Sequence, residues 1–336
     1  MISHGKLNTI IYNTDNALDM RVIFIILCYK LCQILLTFSS REQACNWISL
    51  AVNRINTYYK GENRKGERRV LMYLLVNTSY KNYMKINLEN KSAIVTGGTG
   101  QLGRRIVLSL AECGADVAIH YHSNQVKAEE LAAQVRSMGR EAGIFQADIT
   151  KEQSIYAMRD KVYEEFGKPD IIVNNAVIQY QWKSVLEQDV SDYYTQFESC
   201  VMHNVYMNKA FVPHMIEQKY GRIVVINTEC AALADPYQSA YVAGKRGLDG
   251  VVRCLAKEIG PYNVTINQVA PGWTISDNDR AKSQEVQPEY DKTVPLGHRG
   301  TDQDIANMVC FLASDLAAFT TGAYIPVSGG KVMPAI

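Results

Sequence analysis

The chain has 336 residues, with 35 basic and 34 acidic side chains and a formal net charge of +1. That length suits one large α/β domain or two smaller ones, and the near-neutral balance gives no electrostatic case for a nucleic-acid partner. The eight cysteines form no C-x-x-C pair and no regular spacing, which points to reduced thiols in a cytoplasmic protein; no His/Cys cluster has metal-ligand spacing, so no metal is expected.

Composition changes near Met84. All nine prolines lie after it, and before it the only glycines are Gly5, Gly61 and Gly66. Residues 1–83 therefore read as an atypical N-terminal extension and residues 84–336 as the folded domain. Within the extension, residues 22–38 form an apolar run broken by Lys30 and Gln33. A membrane span needs roughly 20 mostly apolar residues, and a central Lys costs about 2.5–3.5 kcal/mol on the insertion scale. Asp15 and Asp19 stand where a signal peptide wants basic residues. The run reads as a partly helical extension in preference to an anchor. If it does anchor, the following cluster Arg64, Lys65, Arg68 and Arg69 favours a cytoplasmic domain.

From Ser92 onward, short β-branched runs alternate with helical stretches. Ser92-Ala93-Ile94-Val95 reads as a strand, Thr96-Gly97-Gly98-Thr99-Gly100-Gln101-Leu102-Gly103 as a glycine turn, and residues 104–111 as an amphipathic helix. Gly98-x-Gly100-x-x-Gly103 has dinucleotide-turn spacing: glycines permit the tight turn, close backbone approach to a pyrophosphate, and helix–strand packing. Strands are expected at residues 116–121, 142–147, 170–173, 222–226 and 265–269, and helices at residues 125–138, 151–166, 192–218 and 240–259. Repeated βα units imply a doubly wound parallel sheet with helices on both faces, and ligands at the strands' carboxyl ends.

Four signals fall at those ends. The second strand stops in Tyr121-His122-Ser123-Asn124, without the acid that binds ribose hydroxyls in NAD sites. A 2′-phosphate is tolerated there with His122 and Ser123 as donors, so NADP is preferred and NAD stays open. Asp148, in Ala147-Asp148-Ile149-Thr150, also reads as a helix-capping residue. Asn174-Asn175-Ala176 follows the fourth strand; paired Asn can satisfy loop backbone, and the small Ala176 lets a cofactor lie close. Tyr241-Val242-Ala243-Gly244-Lys245 places a phenol and an ammonium on one helix face. A nearby cation should lower the Tyr241 pKa, making it a proton donor to a carbonyl oxygen.

On these residues the chain resembles the short-chain dehydrogenase/reductase family, the classical type that includes 3-oxoacyl-[acyl-carrier-protein] reductases and glucose dehydrogenases. The resemblance extends to Pro271-Gly272-Trp273-Thr274, Arg299-Gly300-Thr301-x-x-Asp304 and Pro326-Val327-Ser328-Gly329-Gly330. It implies a Rossmann-type fold that binds NADP or NAD, with a small carbonyl or alcohol substrate. It also implies Tyr241 as acid/base, Lys245 on the nicotinamide ribose, and Thr228 in place of the family's carbonyl-orienting serine. Asp148 would contact adenine and Thr274 the carboxamide; Ile149, Pro271 and Gly272 complete the cofactor set with the glycine turn and Asn174-Asn175-Ala176. A homodimer or homotetramer is implied, built on the long helices at 192–218 and 240–259.

The chain departs from the family pattern at four places. Gln101 replaces the turn's middle glycine, Val177 the glycine closing Asn-Asn-Ala-Gly, Ser328 an Asp, and Cys200 the helix asparagine of a proton relay. Cysteine is a weak donor; Asn204, one turn later, is the candidate substitute. The polar segment 274–299, with Glu229 and Tyr237, is expected at the substrate mouth. The rival readings are an NAD-dependent sugar or polyol dehydrogenase and a nucleotide-binding relative that has lost turnover.

Overall fold

Short β-branched runs that can be buried on both faces become the strands of one parallel sheet. The structure is a computed structural model that describes residues 86–334; the leader, with its apolar run at 22–38, lies outside the described residues. The strands are β1 (Ser92–Val95), β2 (Asp116–Tyr121), β3 (Ala142–Gln146), β4 (Ile171–Asn174), β5 (Gly221–Ile226), β6 (Val264–Pro271) and β7 (Tyr324–Val327). Among the described residues they form one sheet in the order β3-β2-β1-β4-β5-β6-β7, with every pairing parallel. Strand order reverses between β1 and β4, where Val95 lies opposite both Ile119 and Val173. That reversal opens the crevice in which such sheets bind ligands.

Helices cover both faces: α1 (Gln101–Glu112), α2 (Gln125–Ser137), α3 (Glu152–Glu165), α4 (Val190–Phe197), α5 (His203–Gln218), α6 (Cys230–Leu233), α7 (Ser239–Ile259), α8 (Asp277–Ala281), α9 (Pro288–Asp291) and α10 (Asp302–Ala313). The period-2 alternation of the strands splits the core. Val95, Ile119 and Val224 face Ile106 and Leu110 of α1, Leu131 of α2 and Ile305 and Val309 of α10. Ile94, Ile172 and Val225 face Met158 of α3, Phe211 of α5 and Leu248 and Val252 of α7. Phe211 is 1 % exposed, and truncating such a side chain to Ala costs about 3–5 kcal/mol.

The doubly wound parallel sheet expected from the sequence is the observed one. Three details differ. The single helix expected over 192–218 is interrupted by a π turn at Glu198–Met202, the kind of insertion that redirects side chains near functional sites. Helix α1 starts at Gln101 rather than 104, directly on the glycine turn. The apolar pattern did not announce β7 or α10, although Thr301 and Asp304 close α10 with a reciprocal capping box. Among the described residues, no helix is long and apolar enough to cross a membrane.

Candidate active site

The glycine turn sits at the carboxyl end of β1, and its glycines are required sterically. Gly97 has φ +64°, and a Cβ on Gly103 would lie 2.1 Å from the Gly97 carbonyl oxygen. A Cβ on Gly98 would meet Ile119 at 2.7 Å, so helix and strand could not approach. Gly100 caps α1 without a side chain, leaving the first-turn N–H groups at the sheet edge. These features fit a pyrophosphate, the anion that a helix N-terminus and close backbone approach accommodate.

Asn175 and Thr96 stitch this turn to β4. Asn175 Nδ2 donates to the carbonyls of Thr96 (3.0 Å) and Gly97 (3.2 Å). The Thr96 hydroxyl oxygen accepts from the N–H groups of Asn175 and Ala176. Asn174 Nδ2 donates to Asn204 Oδ1 at 2.8 Å, and Asn204 Nδ2 to the Cys200 carbonyl at 2.8 Å. Asn204 therefore ties the π turn to the end of β4, while Cys200 is buried with only a long contact from Sγ to Gln196 Oε1 at 3.8 Å.

His120 was not singled out by the sequence, yet it holds the turn. Its Nδ1 accepts the Gly97 N–H at 2.9 Å, so Nε2 carries the proton and donates to the Ala147 carbonyl at 3.1 Å. Burial lowers its pKa from 6.5 to about 4 despite the Ala147 bond, which keeps the ring neutral and Nδ1 free to accept. A lone His inside a strand gives no sequence signal for such a role. Residue Asp148 follows Ala147, and its carboxylate accepts from the Thr150 N–H and hydroxyl and faces Lys151 at 3.1 Å. Burial alone would raise its pKa; Thr150 and Lys151 outweigh that and bring it to about 2. His122 and Ser123 are exposed at the end of β2, and Ile149 is buried beside Asp148.

Across the crevice, Thr228 follows β5. Its hydroxyl oxygen accepts the Cys230 N–H at 3.2 Å, which leaves the hydroxyl proton to be donated. The Thr228 side chain also interacts with the Tyr241 phenol. Tyr241 and Lys245 lie one turn apart on α7, with Lys245 Nζ 5.7 Å from the Tyr241 ring centre. Lys245 is 3 % exposed, and its Nζ donates to the Ile226 carbonyl at 2.6 Å. A buried chain from Asn227 to Gln268 to Asp249 (2.6 and 2.7 Å) locks α7 onto β5 and β6.

The expected downward shift at Tyr241 is not what this geometry gives. Burial raises its pKa above the ordinary value, with Cys200 and Cys230 adding to the rise and Thr228 opposing it. Burial likewise lowers Lys245. Desolvation dominates because both groups lie largely out of water, and the charged form of each is the one that burial penalises.

The surroundings of Tyr241 are aromatic. Trp182 stacks on Tyr241 (6.4 Å, 26°), and Tyr180 accepts the Tyr241 N–H through its hydroxyl at 2.9 Å. Tyr237 is exposed at φ +70°, a conformation costly for a bulky residue. Glu229, expected at the mouth, is 5 % exposed; its Oε1 accepts from the Tyr290 hydroxyl (2.8 Å) and the Trp273 N–H (3.2 Å). Burial raises its pKa. Pro271 ends β6, the Gly272 N–H bonds Val327, and the Thr274 hydroxyl donates to the Gly272 carbonyl at 3.1 Å.

Comparison with known proteins agrees with this geometry. The family model described as Enoyl-(Acyl carrier protein) reductase matches residues 99–331. The 3-oxoacyl-[acyl-carrier-protein] reductase FabG of Staphylococcus epidermidis is 34 % identical over 254 residues, covering 73 % of this chain and all of that protein. Among solved structures, an NAD+-bound xylitol dehydrogenase is 28 % identical at a TM-score of 0.68, over 72 % of this chain and 99 % of that one. A gluconate 5-dehydrogenase from Burkholderia cenocepacia, in complex with NADP and tartrate, is 26 % identical at a TM-score of 0.68, over 74 % and 97 %. With the glycine turn, the Tyr-x-x-x-Lys helix and the parallel sheet in place, the chain belongs to the short-chain dehydrogenase/reductase family and is an NAD(P)-binding oxidoreductase.

Proposed function

We propose that the protein is an NADP(H)-dependent oxidoreductase that moves hydride between nicotinamide and a carbonyl or secondary alcohol, with Tyr241 as acid/base. The observation that carries this is the grouping of Thr228, Tyr241 and Lys245 at the carboxyl edge that also holds the glycine turn. When bound, nicotinamide supplies or accepts the hydride at the carbonyl carbon. The protein's residues do the rest. Thr228, with the Cys230 N–H on its oxygen, directs its own proton at the substrate oxygen. Tyr241, its pKa raised by burial, stays protonated through the neutral range and delivers its proton as negative charge develops on that oxygen. That state favours reduction. Lys245 holds the ribose end, while the backbone of residues 96–103, with Asp148, Ile149, Asn174, Asn175, Ala176, Pro271, Gly272 and Thr274, frames the dinucleotide.

NADP is favoured because β2 ends at exposed His122 and Ser123 with no carboxylate beside them. The substrate is a small polar carbonyl, met by the Trp182 face beside Tyr241. A second reading, an NAD-dependent sugar or polyol dehydrogenase, draws on the same aromatic face, which can stack a sugar ring. The protein acts in the cytoplasm as a homodimer or homotetramer. A panel of carbonyls and alcohols, followed by absorbance of the reduced nicotinamide with each nucleotide, tests both readings. Tyr241→Phe should lower turnover by about 10²–10⁴-fold with nucleotide affinity kept. Undiminished turnover in that variant would defeat the assignment.

A further inference from the structure

The glutamine that replaces the family's middle glycine is fully engaged. Gln101 opens α1, and its Nε2 donates to the Ile275 carbonyl at 2.8 Å while its Oε1 accepts the Asp277 N–H at 3.0 Å. Three residues on, Arg104 pairs with the Asp277 carboxylate at 2.9 Å. One side chain thus bridges the start of the glycine-turn helix to the segment that follows Thr274.

The two edges of that segment are held differently. At its base, Arg299 has a fully buried side chain; it donates to the carbonyls of Trp273 (3.0 Å) and Thr274 (2.9 Å) and pairs with Asp279 at 2.7 Å. Arg280 pairs with Asp302 of α10 at 2.7 Å, and Ser276 with Asp279 forms a capping box for α8. Toward α1, the contacts among the described residues are those of Gln101 and the Arg104–Asp277 pair, whose side chains are 41 % and 49 % exposed, while the Ile275 N–H is held by the Gly300 carbonyl on the buried side. Exposed pairs of this kind are weak and salt-screened. The segment is therefore hinged on buried contacts and latched by one amide.

We propose that Gln101 is a positioning residue that straps residues 274–281 across the pyrophosphate channel and sets the rate at which dinucleotide enters and leaves. The proposal rests on the dinucleotide-binding reading of the glycine turn. Gln101 is the first residue of α1, at whose N-terminus a pyrophosphate would sit, and Ile275 and Asp277 follow the carboxyl end of β6, so the bridge joins two walls of the crevice beside that anion position. The strap must part for entry as well as for exit. Its removal changes both rates and leaves affinity nearly constant.

The test combines stopped-flow NADPH fluorescence with hydrogen exchange of residues 275–281, on the full chain and its variants. Gln101→Gly should raise association and dissociation rates about tenfold, the scale of two modest hydrogen bonds, with the circular dichroism spectrum unchanged. Exchange at Asp277, whose N–H Gln101 holds, should quicken in the same variant. Gln101→Glu keeps the acceptor for Asp277 but sets a carboxylate against the Ile275 carbonyl, so its rates should fall in between. Arg104→Gln should give about a twofold rise that disappears in high salt. Unchanged exchange in Gln101→Gly overturns the strap whether or not nucleotide binds. Outright loss of NADPH binding in that variant also overturns it, since Gln101 would then be a ligand contact. Wild-type protein that binds neither NADPH nor NADH overturns the dinucleotide reading, and the gating role with it.

Discussion

Two core histidines should make this protein acid-labile well above the range in which its carboxylates titrate. His203 exposes no surface, and neither ring nitrogen has a well-aligned hydrogen-bond partner. Burial, then His120 and Lys245, lower its pKa from 6.5 to about 3; the nearby Ser199 and Ala176 backbone offsets this only slightly. His120, equally buried, is lowered to about 4. Unfolding frees both rings to protonate near 6.5. Because the folded values are depressed, the stability is fully present above about 6.5 and is lost as pH falls toward the folded pKa values. One unit is worth about 1.4 kcal/mol, so by pH 5 each histidine withdraws roughly 2 kcal/mol. Together that is a large fraction of the roughly 5–15 kcal/mol that a domain has. Urea unfolding followed by tryptophan fluorescence at pH 7, 6 and 5 measures it, with His203→Leu as the perturbation. Leucine has similar volume, and removing partnerless nitrogens is nearly neutral. The variant should match wild type within about 1 kcal/mol at pH 7 and exceed it by roughly 2 kcal/mol at pH 5. Glu229, raised by burial, acts in the opposite sense but is common to both proteins. Parallel pH dependences for the two would refute the reasoning.

Other outcomes follow from the site. Thr228→Val removes the hydroxyl at constant shape and should cut turnover by about 10²-fold, the loss of one oxyanion donor, while Thr228→Ser retains most activity; steady-state kinetics decide. His122→Asp, at an exposed position, sets like charge against a 2′-phosphate and should shift the NADP/NAD affinity ratio about tenfold or more toward NAD; fluorescence titration with each nucleotide measures it. A Cβ at Gly250 on the outer face of α7 meets nothing, so Gly250→Arg should fold normally yet dissociate an oligomer built on that helix, as light scattering would report. Cys200→Asn restores the family residue beside Tyr241 and should raise turnover if the relay is limiting; a fall in kcat would show that Asn204 already serves.

Much of the fold was legible because β-branched runs and helical periodicity are local. The glycine turn and the Tyr241–Lys245 spacing are legible for the same reason, each being a short pattern whose geometry is fixed by one turn or one helix, whereas Thr228 is placed by the family resemblance. What could not be read depends on contacts between distant segments. His120 meets Gly97 across 23 residues and Gln101 meets Ile275 across 174, and no periodicity encodes either. The π turn was missed because an inserted residue leaves the apolar pattern on both sides intact. Spacing predicts the opposite direction for the Tyr241 pKa, since it places Lys245 nearby but does not give the burial that dominates the shift.

Those non-local contacts also account for how this site tolerates its departures from the family pattern. A side chain at position 101 would obstruct a bare glycine turn, yet Gln101 is carried away from the turn by bonds to Ile275 and Asp277. At Cys200 the π turn opens the regular helix pairing, and Asn204 donates to the Cys200 backbone carbonyl while its own oxygen accepts from Asn174. Each substitution is thus matched by a partner on another element at the same carboxyl edge. Such a match predicts coupling: changes at Cys200 and Asn204 should be non-additive, because both act on one hydrogen-bonded chain. Double-mutant cycles on kcat with Cys200→Asn and Asn204→Ala measure this. A coupling energy near zero would mean that the two positions act independently and that Asn204 is only a structural tie between α5 and β4.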